Sequence, residues 1–568
     1  MKLELCDKRK AIIAQAGHLL VLGGPGSGKT TLALLKAQQR YSYLKPGQEI
    51  LFLSFSRAAI FQVLRRCKEI LTPAERRAVN VQTYHAFCMK MLEAHGRLLH
   101  GKPTRFLCPA DERLQKSAFE GDWQVERQRQ ATEFGLYCFD LFAPGTAELL
   151  ERCSALRELV ADCFPMIIVD EFQDTDDDQW KIVKALSEGT DLFCLADPEQ
   201  RIFEYNPKVD PHRIDKLREA IKVTEFDLGR DNHRSPNAGI LKFANAVLHN
   251  RSPLPDTSNV KQVNYQPKKF AEIVHAMVIS TFSVLQKKGI ANPSVAVLAR
   301  SNALISDLSV ILSEDHTYKN QALPALKHDV LGDAELSVAA AIVVASILEW
   351  SAAPAEKSLE RTLQLISSFY RLRNAEKPIK KMAKLARAYA EAADRVAKGE
   401  APRIKAADGL VAALAAGIEV TGEPVADWKT ALRLLQNNPN FTLLFREARL
   451  VRLCRATDAL AAGLSNRWLD LGSYAGASDL VKHILEEELR IATERDPQGC
   501  VLMSMHKSKG KEFDGVVLVE GAFKSKFFDK PEKQPFDASR RLLRVALTRA
   551  RLLVTIVRPH GAPPLVDP

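Results

Sequence analysis

Residues 23–30, Gly23-Gly24-Pro25-Gly26-Ser27-Gly28-Lys29-Thr30, fit the spacing G-x-x-x-x-G-K-T. They follow an apolar run, Leu19-Leu20-Val21-Leu22, and precede a helix-forming run over residues 32–39. That order suits a nucleoside triphosphate. Glycines let backbone N–H groups curl around the phosphates, Lys29 reaches the β- and γ-phosphates, and the Thr30 hydroxyl ligates Mg²⁺. Thr31, next in the chain, is the last candidate nucleotide contact of this segment. A second element, Ile167-Ile168-Val169-Asp170-Glu171-Phe172-Gln173-Asp174-Thr175, puts adjacent carboxylates at the end of an apolar strand. There Asp170 can hold Mg²⁺ through its water shell, and Glu171 can polarise an attacking water. An acidic cluster is ordinarily a solvated loop, but this one follows a buried strand and accompanies a phosphate loop, which points to ATP hydrolysis. No N-K-x-D element argues for guanine.

These residues need parallel α/β units to hold them. Short apolar runs alternate with amphipathic patterns over about residues 11–225, as parallel strands and crossover helices do. The expected strands are Leu19-Leu20-Val21-Leu22, Ile50-Leu51-Phe52-Leu53, Met166-Ile167-Ile168-Val169 and Leu192-Phe193-Cys194-Leu195. A second such region is split: Val295-Ala296-Val297-Leu298 lies in one part, Val516-Val517-Leu518-Val519 and Leu552-Leu553-Val554-Thr555 in the other. Between them the pattern turns to Ala/Leu-rich helix. The expected fold is α/β, with two P-loop-type domains built on parallel sheets, each carrying a mainly helical insertion. The first domain is assigned to residues 1–90 and 156–225 with an insertion at 91–155. The second is assigned to residues 226–355 and 491–568 with a basic helical insertion at 356–490.

Composition agrees with this. A chain of 568 residues is too long for one core, and its 46% hydrophobic and 26% charged content is that of a globular protein. A formal charge of +11 suits a polyanionic partner. No apolar run is long enough to span a bilayer, and residues 1–7 carry acidic side chains where a secretory signal would be apolar. A cytoplasmic protein without a membrane partner is expected. The ten cysteines form no C-x-x-C pair, which favours reduced thiols over a zinc site.

The order of motifs resembles the UvrD/Rep/PcrA branch of superfamily 1 DNA helicases, from the N-terminus to about residue 555. Asp170-Glu171-Phe172-Gln173-Asp174-Thr175 matches that family's D-E-[FY]-Q-D-T, and Asp197-Pro198-Glu199-Gln200-Arg201-Ile202-Phe203 is similar to its G-D-x-x-Q-S-I-[FY]. Asn232-His233-Arg234-Ser235 resembles N-[YF]-R-S, His506-Lys507-Ser508-Lys509-Gly510-Lys511-Glu512-Phe513 resembles H-x-x-K-G-L-E-F, and residues 543–550 resemble Y-V-A-x-T-R-A. The resemblance implies two RecA-like domains, with Gln200 and Arg234 at the γ-phosphate, Arg549 as the arginine finger and Glu512 at the ribose. Such a finger is typically worth about 10³–10⁵ in rate. It further implies single-strand contacts at Leu53-Ser54-Phe55-Ser56-Arg57 and Gln82-Thr83-Tyr84-His85-Ala86-Phe87. Phe55, Tyr84 and Tyr205 fall where the family stacks bases, and His85 and His506 fall where it contacts DNA.

The departures are specific. Lys8 takes the place of the family's adenine-reading Gln, His233 that of the aromatic stacked on the base, and Thr31 that of a second phosphate-contacting Arg. Ala196 replaces a Gly, Lys511 a Leu, and Arg544 the Tyr before the finger motif. These changes put adenine selectivity in question, because an ammonium only donates hydrogen bonds.

Stacking one base on an aromatic is worth about 1–3 kcal/mol, comparable with the roughly 1.4 kcal/mol of an average DNA step. The resemblance therefore implies an ATP- and Mg²⁺-dependent 3′→5′ helicase acting on single-stranded and duplex DNA. Two alternatives stay open: a DNA-stimulated translocase with little unwinding, and an ATP-switched regulatory subunit, either one serving a separate nuclease or other protein partner. The basic run Arg371, Arg373, Lys377, Lys380, Lys381, Lys384 and Arg387 is either a solvated helix face or a surface for duplex or partner.

Overall fold

The computed structural model describes residues 5–55, 57–107, 112, 115, 116, 119, 121–202, 208–229, 239–331, 334–376, 380–449, 458–492, 498–528 and 532–567. The chain divides into two compact units. One comprises residues 1–301, 314–327 and 496–568, and the other residues 302–313 and 328–495.

The larger unit contains two lobes, each built on a parallel sheet. In the first lobe the strand order is Val79–Thr83, Ile50–Ser54, Met166–Val169, Asp191–Ala196, Leu19–Leu22, Thr224–Asp227, and every neighbouring pair is parallel. The inner strands are buried on both faces, which is why they read as unbroken apolar runs. Thr224–Asp227 at the edge is largely exposed, and its polar sequence Thr-Glu-Phe-Asp hid it from pattern reading. In the second lobe Cys500–Ser504, Val295–Ala299, Phe513–Val519, Ala550–Pro559 and Val260–Tyr265 follow one another, again in parallel.

The stretch expected as a small helical insertion at 91–155 packs into the core of the first lobe. Leu92, Tyr137, Phe142, Leu149 and Leu150 belong to one apolar cluster with Leu51, Leu53 and Ile167 of the first sheet. The helix Phe142–Arg152 shows why: it buries Phe142, Ala143, Gly145, Thr146, Ala147, Leu149 and Leu150, far more than one face of a solvated helix.

The smaller unit is mostly helical and begins earlier than residue 356. The helix Ala334–Leu348 is apolar nearly all round, with Ala340, Ala341, Val343, Val344, Ala345, Ile347 and Leu348 at 0% exposure. It therefore has to be enclosed, and it lies in one cluster with Leu363, Tyr389, Trp428 and Val481 of the helices that follow. Tyr370 and Tyr389 stack with ring centroids 5.5 Å apart. Of the basic run, Arg371 and Arg373 are half-buried and Lys381, Lys384 and Arg387 exposed; Lys377 and the Lys380 side chain lie outside the described residues. Among the described residues no helix is long and apolar enough to cross a membrane. Cys67, Cys88, Cys138 and Cys194 are buried free thiols, and Cys500 is buried.

Candidate nucleotide site

In an open parallel sheet, ligands bind beyond the carboxyl ends of the strands. The first lobe places its chemistry there. Leu22 leads into the phosphate loop, Val169 into Asp170 and Glu171, and Ala196 into Asp197 and Gln200. Ser54 and Thr83 lead into Phe55 and Tyr84. The second lobe contributes differently: Glu512 and Arg549 stand just before the amino ends of Phe513–Val519 and Ala550–Pro559.

The phosphate loop depends on glycine at two points in particular. Gly28 has φ 87° at the start of the helix Lys29–Tyr41, in the left-handed region that costs other residues strain. A Cβ on Gly23 would lie 2.6 Å from Ser27 Oγ, so a larger residue would force the Ser27 side chain to shift. The Lys29 ammonium donates to the Gly23 carbonyl at 2.6 Å and to that of Gly24 at 3.3 Å. Ser27 Oγ is buried without a hydrogen-bond partner. A buried orphan hydroxyl and a helix N-terminus beside a lysine fit a polyphosphate.

The cavity beside this loop measures about 440 Å³ and is lined from both lobes. Gly24, Pro25, Gly26, Ser27, Gly28, Lys29, Thr30 and Thr31 line one wall with Asp170, Glu171 and Gln200, while Gly510, Glu512, Arg549 and Arg551 line the other. Its size is that of a small-molecule site. Thr30 and Asp170 are the residues that would hold Mg²⁺.

The carboxylates differ in state. Burial, and then the neighbouring Glu171 charge, push Asp170 well above the usual carboxylate range. Burial also works to raise Glu171, but Lys509 and Lys29 outweigh it and hold this carboxyl below its ordinary value. Glu171 is thus the ionised member of the pair, as orienting a water requires. Its backbone sits at φ 53°, strained for a residue other than glycine. Gln173 Nε2 donates to Glu171 Oε2 and, at 3.1 Å, to Asp174 Oδ2.

Two cations of the second lobe complete the arrangement. Lys509 Nζ donates to Asp174 Oδ2 and, at 2.9 Å, to the Gln200 carbonyl, and lies 3.6 Å from Glu171 Oε2. Arg549, 3% exposed, donates through Nη2 to Gln200 Oε1 at 3.1 Å. Gln200 Nε2 in turn donates to Asp197 Oδ2 at 2.7 Å. Lys509 falls inside the motif at 506–513, whose pattern assigns it no role. Arg9 and Arg66, which also line the cavity, carry no spacing signal at all.

The base end departs from expectation. Lys8 donates to the Asp227 carbonyl and does not line the cavity. Its neighbour Arg9 does, with Nη2 donating to the Ser27 carbonyl at 3.2 Å. Thr31 is buried and accepts from Arg66 Nη1 at 2.7 Å, so a guanidinium reaches position 31 from the helix Arg57–Ile70. Glu512 pairs with Arg551 at 3.3 Å.

Of the residues expected at DNA, Phe55 is half-buried and meets Tyr84 edge to face at 6.5 Å. Tyr84 is 1% exposed, so its ring packs in the core rather than offering a face to a base. His85 stacks on Phe139 at 4.0 Å, and burial lowers its pKa. Burial, then Arg300, lowers that of His506 as well. Both imidazoles are therefore neutral hydrogen-bonding groups at neutral pH. Tyr205, His233 and Arg234 lie outside the described residues.

Residues 8–206 match the family described as AAA domain, and residues 499–557 the UvrD-like helicase C-terminal domain. The chain is 25% identical over 383 residues to a probable DNA helicase II homolog of Mycoplasma pneumoniae, covering 54% of this chain and 52% of that protein. It is 25% identical over 348 residues to the putative ATP-dependent DNA helicase YjcD of Bacillus subtilis, covering 52% and 46%. It is 23% identical over 354 residues to the ATP-dependent DNA helicase PcrA of Staphylococcus aureus, covering 52% and 48%. The chain thus spans about half the length of the curated relatives it matches. Both family matches fall on the two lobes that line this cavity, and over about half its length the chain is similar to DNA helicases of the UvrD/PcrA type.

Proposed function

We propose that this chain is an ATP-driven DNA translocase that unwinds duplex DNA, moving 3′→5′ along one strand. The observation that carries the reading is the bond between Arg549 of the second lobe and Gln200 of the first, beside Glu171 and Lys29. A γ-phosphate bound there meets charges from both lobes, so hydrolysis removes a group that draws the lobes together. Lys29 and the loop N–H groups bind the triphosphate, Glu171 orients the attacking water, and Arg549 stabilises charge developing in the transition state. A divalent ion held by Thr30 and Asp170 would neutralise phosphate charge. Arg234 and His233 take their γ-phosphate and base roles from the family pattern, and Glu512 the ribose. Phe55, His85 and His506 are the proposed contacts to the single strand, Phe55 by stacking and the imidazoles by hydrogen bonds. The polarity and the DNA substrate rest on the family and the named relatives.

The test is ATP hydrolysis with and without single-stranded DNA, followed by strand displacement on duplexes with 3′ or 5′ tails. Stimulation by DNA together with displacement only from 3′ tails is expected. Hydrolysis indifferent to DNA would overturn the reading. Stimulation without displacement would replace the helicase with a translocase that serves a separate partner. An ATP-switched subunit without turnover is disfavoured by the ionised Glu171, which binding alone does not require.

A further inference from the structure

Arg544 stands where the family pattern has tyrosine, and its surroundings are those of a buried ion rather than a phenol. It is 1% exposed on the helix Asp537–Leu547 of the second lobe. Nη2 lies 2.7 Å from Glu199 Oε2, and Nη1 lies 3.5 Å from Asp197 Oδ2; both carboxylates belong to the first lobe. Nε donates to Asn245 Oδ1 of its own lobe at 3.0 Å. The guanidinium also backs the phosphate loop, since a Cβ on Gly24 would lie 3.8 Å from Nη2. Among the described residues these carboxylates also meet His249, 3.1 Å from Glu199 Oε1, the Gln200 amide on Asp197 Oδ2, and the Glu199 backbone N–H, which donates to Asp197 Oδ1 at 3.0 Å.

Arg544 does not line the cavity, but Asp197 connects it to groups that do. Asp197 Oδ2 accepts from Gln200 Nε2 at 2.7 Å, and the Asp197 backbone N–H donates to Gln173 Oε1 at 2.9 Å. Gln173 in turn donates to Glu171. A buried arginine is costly unless paired, and a tyrosine could neutralise neither carboxylate. The ion pairs therefore exist only while the lobes are together.

We propose that Arg544 is a positioning residue, an ionic tie from the second lobe that holds Asp197 and through it the Gln200 amide against Arg549. The alignment of the hydrolytic groups in the first lobe then depends on where the second lobe stands. This rests on the proposed ATPase reading and deepens it.

The test uses the full chain and the variants Arg544→Tyr, Arg544→Lys, Glu199→Gln and the double variant Arg544→Tyr/Glu199→Gln. Affinity for a fluorescent non-hydrolysable ATP analogue, basal and DNA-stimulated kcat and KM, and hydrogen exchange over residues 197–200 are measured. Arg544→Tyr should lower kcat about tenfold or more with analogue affinity within about twofold, the split expected of lost transition-state alignment. Arg544→Lys should recover part of the loss, and the double variant should be no worse than the poorer single one, since the pair that Glu199→Gln removes is one of the two that Arg544→Tyr removes. Exchange over residues 197–200 should rise in Arg544→Tyr. Should Arg544→Tyr fail to fold, Asp197→Asn removes the carboxylate through which Arg544 reaches Gln200, and unchanged kcat there overturns the tie. Losses confined to KM, or losses that multiply in the double variant, overturn it too. Wild-type hydrolysis that ignores DNA would instead sink the helicase reading, while basal kcat and exchange still report on the tie.

Discussion

The two ends of the cavity are built on different principles. At the phosphate end, Lys29, Asp170, Glu171, Asp174, Gln200, Lys509 and Arg549 lie within a mostly buried network of charges and amides. At the base end, Arg9, Gln62, Arg66 and Arg551 are partly exposed, and Lys8 has turned away to the Asp227 carbonyl. Charges read a phosphate whichever base it carries, so they must be fixed in place and few substitutions serve. Stacking and a solvated rim hardly discriminate between bases, so that end tolerates Lys8 where the family pattern has Gln.

The comparison breaks most visibly at Arg549, the proposed arginine finger. Arg549→Ala should lower the hydrolysis rate by about 10³–10⁵; steady-state kcat on single-stranded DNA measures it, and a loss below tenfold would detach Arg549 from the chemistry. Next comes Glu171→Gln, expected to bind nucleotide normally but hydrolyse about 10²–10⁴-fold more slowly. Near-normal turnover there would mean another group orients the water. Lys509→Met leaves the buried carboxylate of Asp174 without its cation, a loss of about 3–5 kcal/mol for a broken buried pair. Chemical denaturation of the nucleotide-free protein should register it, and an unchanged midpoint would show that the ion pair is not formed in solution.

A smaller effect concerns Asp170. Its proton is held more tightly in the folded chain than in the unfolded one, so its contribution to stability is present at low pH and fades as pH rises toward neutrality. Asp170→Asn should therefore raise the melting temperature by a few degrees at pH 8 in EDTA, and the gain should vanish near pH 4. A constant difference across that range would contradict the raised pKa. The smallest effects belong to the base end. Wild type should prefer ATP over GTP or CTP by less than about tenfold, and Lys8→Gln should alter that ratio by less than about twofold because Lys8 faces away. Arg66→Ala should raise KM several-fold with kcat held. A large, selective effect of Lys8→Gln would return the base-reading role to Lys8.

Much of the phosphate end was legible in the sequence. The loop at 23–30, the carboxylates after Ile167-Ile168-Val169 and Arg549 before Ala550 are local patterns, each fixed by the strand or helix it adjoins, and all contribute to the cavity lining. Lys509 was visible but silent, because its partners Asp174 and Gln200 lie more than three hundred positions away in the chain. Tyr84 illustrates the reverse: the pattern marked a stacking residue, and packing against the first sheet buries it. The strands Thr224–Asp227 and Val260–Tyr265 were missed because edge strands need not be apolar.

The sequence by itself determined which groups can meet a triphosphate and which strands carry them, since backbone shape at glycines and burial of apolar runs are local matters. Only the tertiary structure decided that the 91–155 helices share the first lobe's core, and that Lys8 faces away from the cavity while Arg66 reaches Thr31. It alone also decided that Arg544 lies between Asp197 and Glu199. Those outcomes rest on contacts between segments far apart in the chain, where geometry, burial and charge are set by packing that no local pattern encodes.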